Sequence, residues 1–239
     1  MNADFEEITP RRRVGLTLGL MGGLMTLYLC IGWMRVGGAT PVHTVPTAID
    51  DWVPFSLAWL PIYLFMLPMS WAPVCAFADR RNVHRWIASV LLMYVPAVPL
   101  WLAWPVTVPR DPVAVEGFWS FVFMLMRATD PPVNCLPSMH VAVATLAGLL
   151  IRQVDKPVGN GLLLLMPFIW YSTMALDQHW FLDGLVGVVI AVAVEWTTRR
   201  LMPVPTAAMV ALDRRAHWGW IGPFLAVVGG VFVYWLVAV

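Results

Sequence analysis

The sequence predicts an all-α protein, a polytopic membrane helix bundle of six core transmembrane helices plus one C-terminal helix. Three observations predict it. Hydrophobic residues make up 60% of the 239 and charged residues only 12%, about half the charge of a soluble domain. The apolar residues gather into stretches close to the roughly 20 that a bilayer-crossing helix needs. The cations, finally, segregate between alternate loops, as they do where one set of loops faces the cytoplasm.

The stretches follow in order at residues 14–34, 55–78, 86–106, 138–151, 158–176, 181–201 and 218–239. The first follows Arg11, Arg12 and Arg13. It is too long for a signal-peptide core and no small-residue cleavage site follows it, so it reads as a retained anchor. Gly15, Gly19 and Gly23 recur along it every four residues, a surface for close helix contact inside the bundle. The fourth stretch is short, but its polar start, with Ser138 and His140, can carry the helix to an interface. Prolines mostly mark span ends or kinks. The longest loop, residues 107–137, holds an apolar run at 118–126 that is too short to cross and is followed by Arg127 and Asp130. An interfacial or re-entrant helix is expected there.

This organisation divides the chain into a cytoplasmic segment (1–13), a six-span core (14–201) and a cytoplasmic loop with an extra span (202–239). One set of loops holds only Arg35, Arg110 and Arg127; the other 12 of the 15 Lys and Arg lie on the opposite side. The N-terminus is therefore expected in the cytoplasm, the loop 107–137 on the exterior or periplasmic side, and the chain in the inner membrane. Net charge is +1, so no basic field calls for nucleic acid. Cys30, Cys75 and Cys135 form no disulfide pattern, no His/Cys cluster has zinc spacing, and neither metal nor other cofactor is expected.

Two histidine segments fall at exterior span ends. In Asn134-Cys135-Leu136-Pro137-Ser138-Met139-His140, Pro137 can open a helix whose free N–H groups and Ser138 hydroxyl make an anion site. His140 is close enough to donate a proton there. In the second segment Ser172 is followed by His179 and Asp183; on a helix the last two share a face, and the carboxylate would orient the imidazole. Snorkelling interfacial histidines are the plain alternative. Asp130-Pro131-Pro132 reads as a turn or a pocket rim, and Glu195 as a partner of Arg199.

These residues resemble the type-2 phosphatidic acid phosphatase superfamily, whose pattern is Lys-x6-Arg-Pro, Pro-Ser-x-His and Ser-Arg-x5-His-x3-Asp. Pro137, Ser138, His140, Ser172, His179 and Asp183 are the matching positions. The resemblance implies that His179 attacks phosphorus to form a phosphohistidine and that Asp183 orients it. It further implies that His140 protonates the leaving alkoxide, that Ser138 and Ser172 bind phosphate oxygens, and that no metal takes part. Thr173 stands where the family has Arg, and the Lys-x6-Arg-Pro segment is absent. Arg110 and Arg127 are the candidate replacements, since phosphoryl transfer generally needs a cation.

The wording of both segments, including Gln178-His179-Trp180-Phe181-Leu182-Asp183, is similar to the branch that contains inositol phosphorylceramide synthases. The expected activity is thus a lipid phosphatase or phosphotransferase acting on a phosphorylated lipid, with water or an alcohol as acceptor. A phospho-headgroup transferase is one alternative, and an inactive membrane scaffold or a transporter another. Its pH profile should fall in acid as His179 protonates and in alkali as His140 loses its proton. Oligomeric state is left open.

Overall fold

Three of the described α-helices begin where the N-cap's short polar side chain closes the first turn. Asp79 accepts from the Arg81 and Asn82 amides at 3.1 and 2.9 Å, Ser138 from Val141 at 3.4 Å, and Asp155 from Val158 at 3.1 Å. Each satisfies amides that the helix itself leaves free. The computed structural model describes residues 8–36, 42–77 and 79–203. Its helices are α1 (Pro10–Val36), α2 (Leu60–Leu64), α3 (Met66–Ala76), α4 (Arg80–Ala103), α5 (Phe118–Thr129), α6 (Met139–Val154), α7 (Lys156–Ala175) and α8 (Phe181–Leu201). No strand occurs among the described residues; isolated bridges join Val106 to His43 and to Asn134.

Among the described residues, five segments are long and apolar enough to cross a membrane: Pro10–Val36, Leu57–Val74, Arg80–Ala103, Lys156–Ala175 and Phe181–Leu201. The surface they present is itself apolar, with Met25, Val95, Leu164 and Val189 all exposed, as expected for an integral membrane protein. The predicted second span is interrupted: a 3-10 turn at Leu57–Trp59 leads into α2, and α3 follows after Phe65. The predicted seventh span lies outside the described residues, as does the loop before it.

The fourth predicted span departs from the others for a physical reason. α6 has only 16 residues, short for a bilayer. It lies at the centre, packed by α3, α7 and α8, and every residue from Val141 to Gly148 is buried. A helix ringed by protein can be apolar on all sides and need not match the lipid thickness. Ala142, Ala144, Ala147 and Gly148 keep it thin enough for close approach. The turn into α7 is a single residue, Asp155, and is tight: a Cβ on Gly159 would sit 2.2 Å from the Arg152 amide nitrogen.

The glycine ridge of α1 makes no close contact among the described residues. A Cβ on Gly15, Gly19, Gly22 or Gly23 would meet nothing among the described residues. α1 instead turns Thr17, Leu24, Ile31 and Gly32 inward, one helix face. Gly32 is the close approach: its Cβ would fall 2.2 Å from Pro131 Cγ and 2.9 Å from Asn134 Nδ2. α1 thereby braces the loop that delivers the first histidine segment. The segment 118–126 is helical as predicted, within α5, and exposes Phe118, Phe121 and Leu125.

Alternation of the helices gathers the C-terminal ends of α4 and α7 with the N-terminal ends of α6 and α8. Both histidine segments, α5 and the 105–108 strand-like stretch lie at that end. Arg80, Arg81, Arg85, Arg152, Lys156, Arg199 and Arg200 lie at the other.

Candidate active site

The site is built on three crossings of the chain. Cys135 donates its amide to Val106 O at 3.1 Å, pinning the stretch before α6 beneath the 105–108 segment. The Leu136–Pro137 peptide bond is cis. The Ser138 amide then donates to Asp183 O at 3.0 Å, tying the start of α6 to the start of α8. Gly187 permits this contact, since a Cβ there would lie 2.6 Å from Ser138 O. After α7 the Gln178 and His179 amides both donate to Thr173 O, at 2.9 and 3.2 Å. Asp177, at φ 51, takes the left-handed conformation that Asp tolerates better than most residues.

These constraints bring His140 and His179 into direct contact, with His140 Nδ1 3.1 Å from His179 Nε2. His179 is 5% exposed. Its Nδ1 lies 2.9 Å from Cys135 O. A carbonyl can only accept, so Nδ1 carries the proton and Nε2 is left as a lone pair. That lone pair receives the His140 Nδ1–H. His140 Nε2 is then an acceptor, and the Tyr63 hydroxyl stands 2.7 Å from it. One carbonyl thus sets the direction of the whole chain, from Tyr63 through His140 and His179 to Cys135 O.

His179 lies in the turn before α8 and not on a helix, so the expected shared face with Asp183 does not form. Asp183 Oδ2 accepts from the Trp180 amide at 2.8 Å and is 3.5 Å from His179 Nδ1. It closes the first turn of α8 and adds charge behind the imidazole, while the Cys135 carbonyl makes the shorter bond. Asp183 is fully buried, and its Oδ1 has no hydrogen-bond partner among the described residues.

The hydroxyls of the two motifs are turned to the backbone. Ser138 caps α6. Ser172 Oγ donates to Ile169 O at 2.7 Å, and Thr173 Oγ1 to Trp170 O at 2.7 Å. Arg110 reaches the neighbour of His179: its Nη2 donates to Gln178 Oε1 at 2.9 Å and to Asp130 Oδ2 at 2.8 Å, and its Nη1 to Asp130 O at 2.9 Å. Tyr28 OH donates to the other oxygen of Asp130 at 2.7 Å. Arg127 is held one step away, by Asp111 O at 2.7 Å, Leu176 O at 3.2 Å and Asp177 at 3.3 Å. It also lies 4.4 Å over the Phe123 ring. Burial lowers the Arg127 pKa and raises that of Asp177, and their mutual attraction opposes both shifts.

Cys135, His179 and Asp183 each offer a ligand atom within 4.8 Å of the others. The donor chemistry fits a resident ion poorly. Burial pushes the Cys135 thiol pKa up, its Sγ–H points to Pro132 O at 3.7 Å, and His179 Nδ1 is committed to a carbonyl. A metal would have to displace both protons.

Tyr63, Gln178, Asp130 as the partner of Arg110, and the Cys135 carbonyl are the members that reading the sequence did not assign. So is Asp50, whose Oδ1 accepts from the Phe181 amide at 2.7 Å and helps close α8. A carbonyl leaves no mark in sequence. Tyr63 had one faint sign, a polar hydroxyl within an apolar stretch.

An all-helical, membrane-type bundle with a paired-histidine site at one end is the class that fold and geometry define. Residues 108–206 match the family model of the PAP2 superfamily, which supports that superfamily for this chain. Its members are phosphatases and phosphotransferases, which supports an enzyme. The match contains Arg110, Arg127, His140, Ser172, His179 and Asp183; α1 to α4 lie outside it. Among curated proteins and among solved structures, none matches the chain significantly.

Proposed function

We propose that the protein is an integral-membrane lipid phosphatase or phosphotransferase working through a phosphohistidine on His179. The observation that carries this reading is the fixed tautomer of His179. Its Nδ1–H is held on a backbone carbonyl at 2.9 Å, so the Nε2 lone pair is available as the nucleophile. The only described polar group on that lone pair is His140 Nδ1, at 3.1 Å.

The steps follow. A phosphorylated headgroup enters between the two rings and parts them. His179 Nε2 attacks phosphorus, the phosphorus–oxygen bond to the leaving group breaks, and His140 gives that oxygen its proton. For this donation His140, neutral in the resting chain, first takes up a proton from solvent as the headgroup enters, and it ends the step neutral. Water or an alcohol then gives its proton to His140 as its oxygen attacks phosphorus, and the phosphorus–nitrogen bond breaks. Arg110 is the cation for the phosphoryl oxygens, since Gln178 links it to the turn bearing His179. Arg127 holds the loop behind it. Ser138 and Ser172 bind phosphate only by turning from their present partners. Asp183 stabilises the imidazolium side of the cycle. The site opens to the exterior or periplasmic face, on the strength of the charge segregation between loops.

A phospho-headgroup transferase is the second reading. It is favoured by Asp130, which already balances the Arg110 charge at 2.8 Å, and by Thr173 in the place of a family Arg. Such a site suits a phosphodiester, with one negative charge, better than a doubly charged monoester.

Phosphate release from phosphatidic acid, prenyl diphosphates and phosphorylated sphingolipids, by purified protein and by His179→Ala, tests the first reading. Release by the native protein alone is expected. A phospholipid donor supplied with a lipid alcohol tests the second. Equal activity of native protein and His179→Ala in both assays contradicts both readings.

A further inference from the structure

The mechanism leaves one close neighbour of the histidines without a part. Tyr63 lies on α2, outside the matched family region. It is 4% exposed, packed with Leu60, Phe123 and Leu176. Its hydroxyl is 2.7 Å from His140 Nε2 and its ring lies 4.9 Å from the His140 ring. An apolar ring would satisfy the packing here; the hydroxyl needs another reason.

The reason lies in what His140 has to do. In the resting chain it is neutral, with Nδ1–H on His179 and Nε2 accepting from Tyr63. To protonate a leaving oxygen it carries protons on both nitrogens, because a neutral imidazole that gave up its proton would become an anion. Nε2 then turns from acceptor to donor. A backbone carbonyl could serve only the charged form, and a backbone amide only the neutral one. A tyrosine hydroxyl can donate to Nε2 in the neutral form and accept from Nε2–H in the charged form by rotating its O–H. No heavy atom has to move for the change, and neither state leaves a buried nitrogen unpaired, which would cost on the order of 1–3 kcal/mol.

We propose that Tyr63 is a positioning residue for His140, which keeps it in register for proton transfer and supports it in both protonation states. This rests on the phosphohistidine reading. Besides Tyr63, His179 is in contact with His140; Arg110 with Asp130 and Arg127 with Asp177 form charged pairs at this end of the bundle, and Asp183 lies behind His179. Asp130 and Arg110 bond to each other, so neither substitutes for Tyr63.

The test compares Tyr63→Phe with native protein on two esters of one phosphate: an alkyl lipid ester and a nitrophenyl ester. An alkoxide needs a proton to leave and a nitrophenolate does not. The readout is kcat/KM, which covers events only up to formation of the phosphoenzyme. About a tenfold loss is expected on the alkyl ester, with the nitrophenyl ester within about twofold of native protein. A merely structural role lowers both alike, and equal loss overturns the proposal. A second measurement does not depend on turnover: the nitrogen-15 shift of His140 Nε2 in folded native protein and in Tyr63→Phe. A move toward the free-acceptor value supports the contact, and an unchanged shift overturns the proposal. If native protein consumes neither ester, the functional reading falls and the nitrogen shift alone decides the role of Tyr63.

Discussion

Two polar networks lie at opposite ends of α6 and α8, and the proposed mechanism uses only one of them. Away from the histidines, Arg85 Nη1 donates to Gln153 Oε1 at 2.8 Å, and Gln153 Nε2 to Glu195 Oε1 at 2.6 Å. Arg85 closes on Glu195 at 3.5 Å, and exposed Arg199 adds a longer contact at 3.8 Å. The pairing of Glu195 expected from sequence, with Arg199, is therefore the weaker of its two ion pairs. Ser89 and Thr198 join beside it at 3.0 Å. This network ties α4, α6 and α8 together with opposite charges facing each other. At the histidine end the Arg110–Asp130 and Arg127–Asp177 ion pairs stand beside a chain of hydrogen bonds from Tyr63 through His140 and His179 to Cys135 O. In that chain the His179 Nε2 lone pair faces, among the described residues, only a neighbour that can leave. The difference teaches that burial and polarity alone do not mark a site. What marks it is a reactive atom whose partner is exchangeable.

The comparison can be broken most severely at His179. His179→Ala should lower turnover at least about a thousandfold while leaving the thermal midpoint in detergent close to that of native protein. A large loss of stability would mean that the site network is structural too. Glu195→Ala should do the opposite. It leaves the 3%-exposed Arg85 side chain without its counter-charge, costing about 3 kcal/mol. Thermal unfolding would show the loss, and kcat/KM of the folded fraction should stay native.

Gly187→Ala probes the tie between the two helices. The added methyl meets Ser138 O at 2.6 Å, and overpacking of this kind costs about 1–3 kcal/mol. Activity should fall along with stability, since Ser138 opens the helix bearing His140. Asp183→Asn sharpens the question of what holds His179. If the Cys135 carbonyl fixes the tautomer, the loss in kcat should be about tenfold. A loss near the ten-thousandfold scale known where a carboxylate alone sets the tautomer would return that role to Asp183.

Much of this was legible in the sequence, for reasons that differ by residue. Span 181–201 coincides with α8 because lipid demands a continuous apolar run. His140 was found because capping Ser138 places chemistry at a helix start, with Pro137, expected to open that helix, lying just before the cap; His179 was found from the spacing of Ser172, His179 and Asp183. The break at Phe65 was not legible, since the sequence remains apolar across α2 and α3. Nor was the exchange of Asp183 for a carbonyl beside His179, because that depends on where α8 begins, at Phe181 and not before. Arg110 could be nominated from sequence, but its links to Gln178 and Asp130 join residues far apart in the chain.

The most direct test of the phosphohistidine account is to quench the protein during turnover and locate the phosphoryl group. Mass spectrometry and phosphorus NMR under alkaline conditions would serve. The account expects an acid-labile, alkali-stable phosphoramidate at His179, attached through Nε2. Turnover with no phosphoenzyme under conditions that would trap one, or a phosphoryl group on Nδ1 or on another residue, would contradict it.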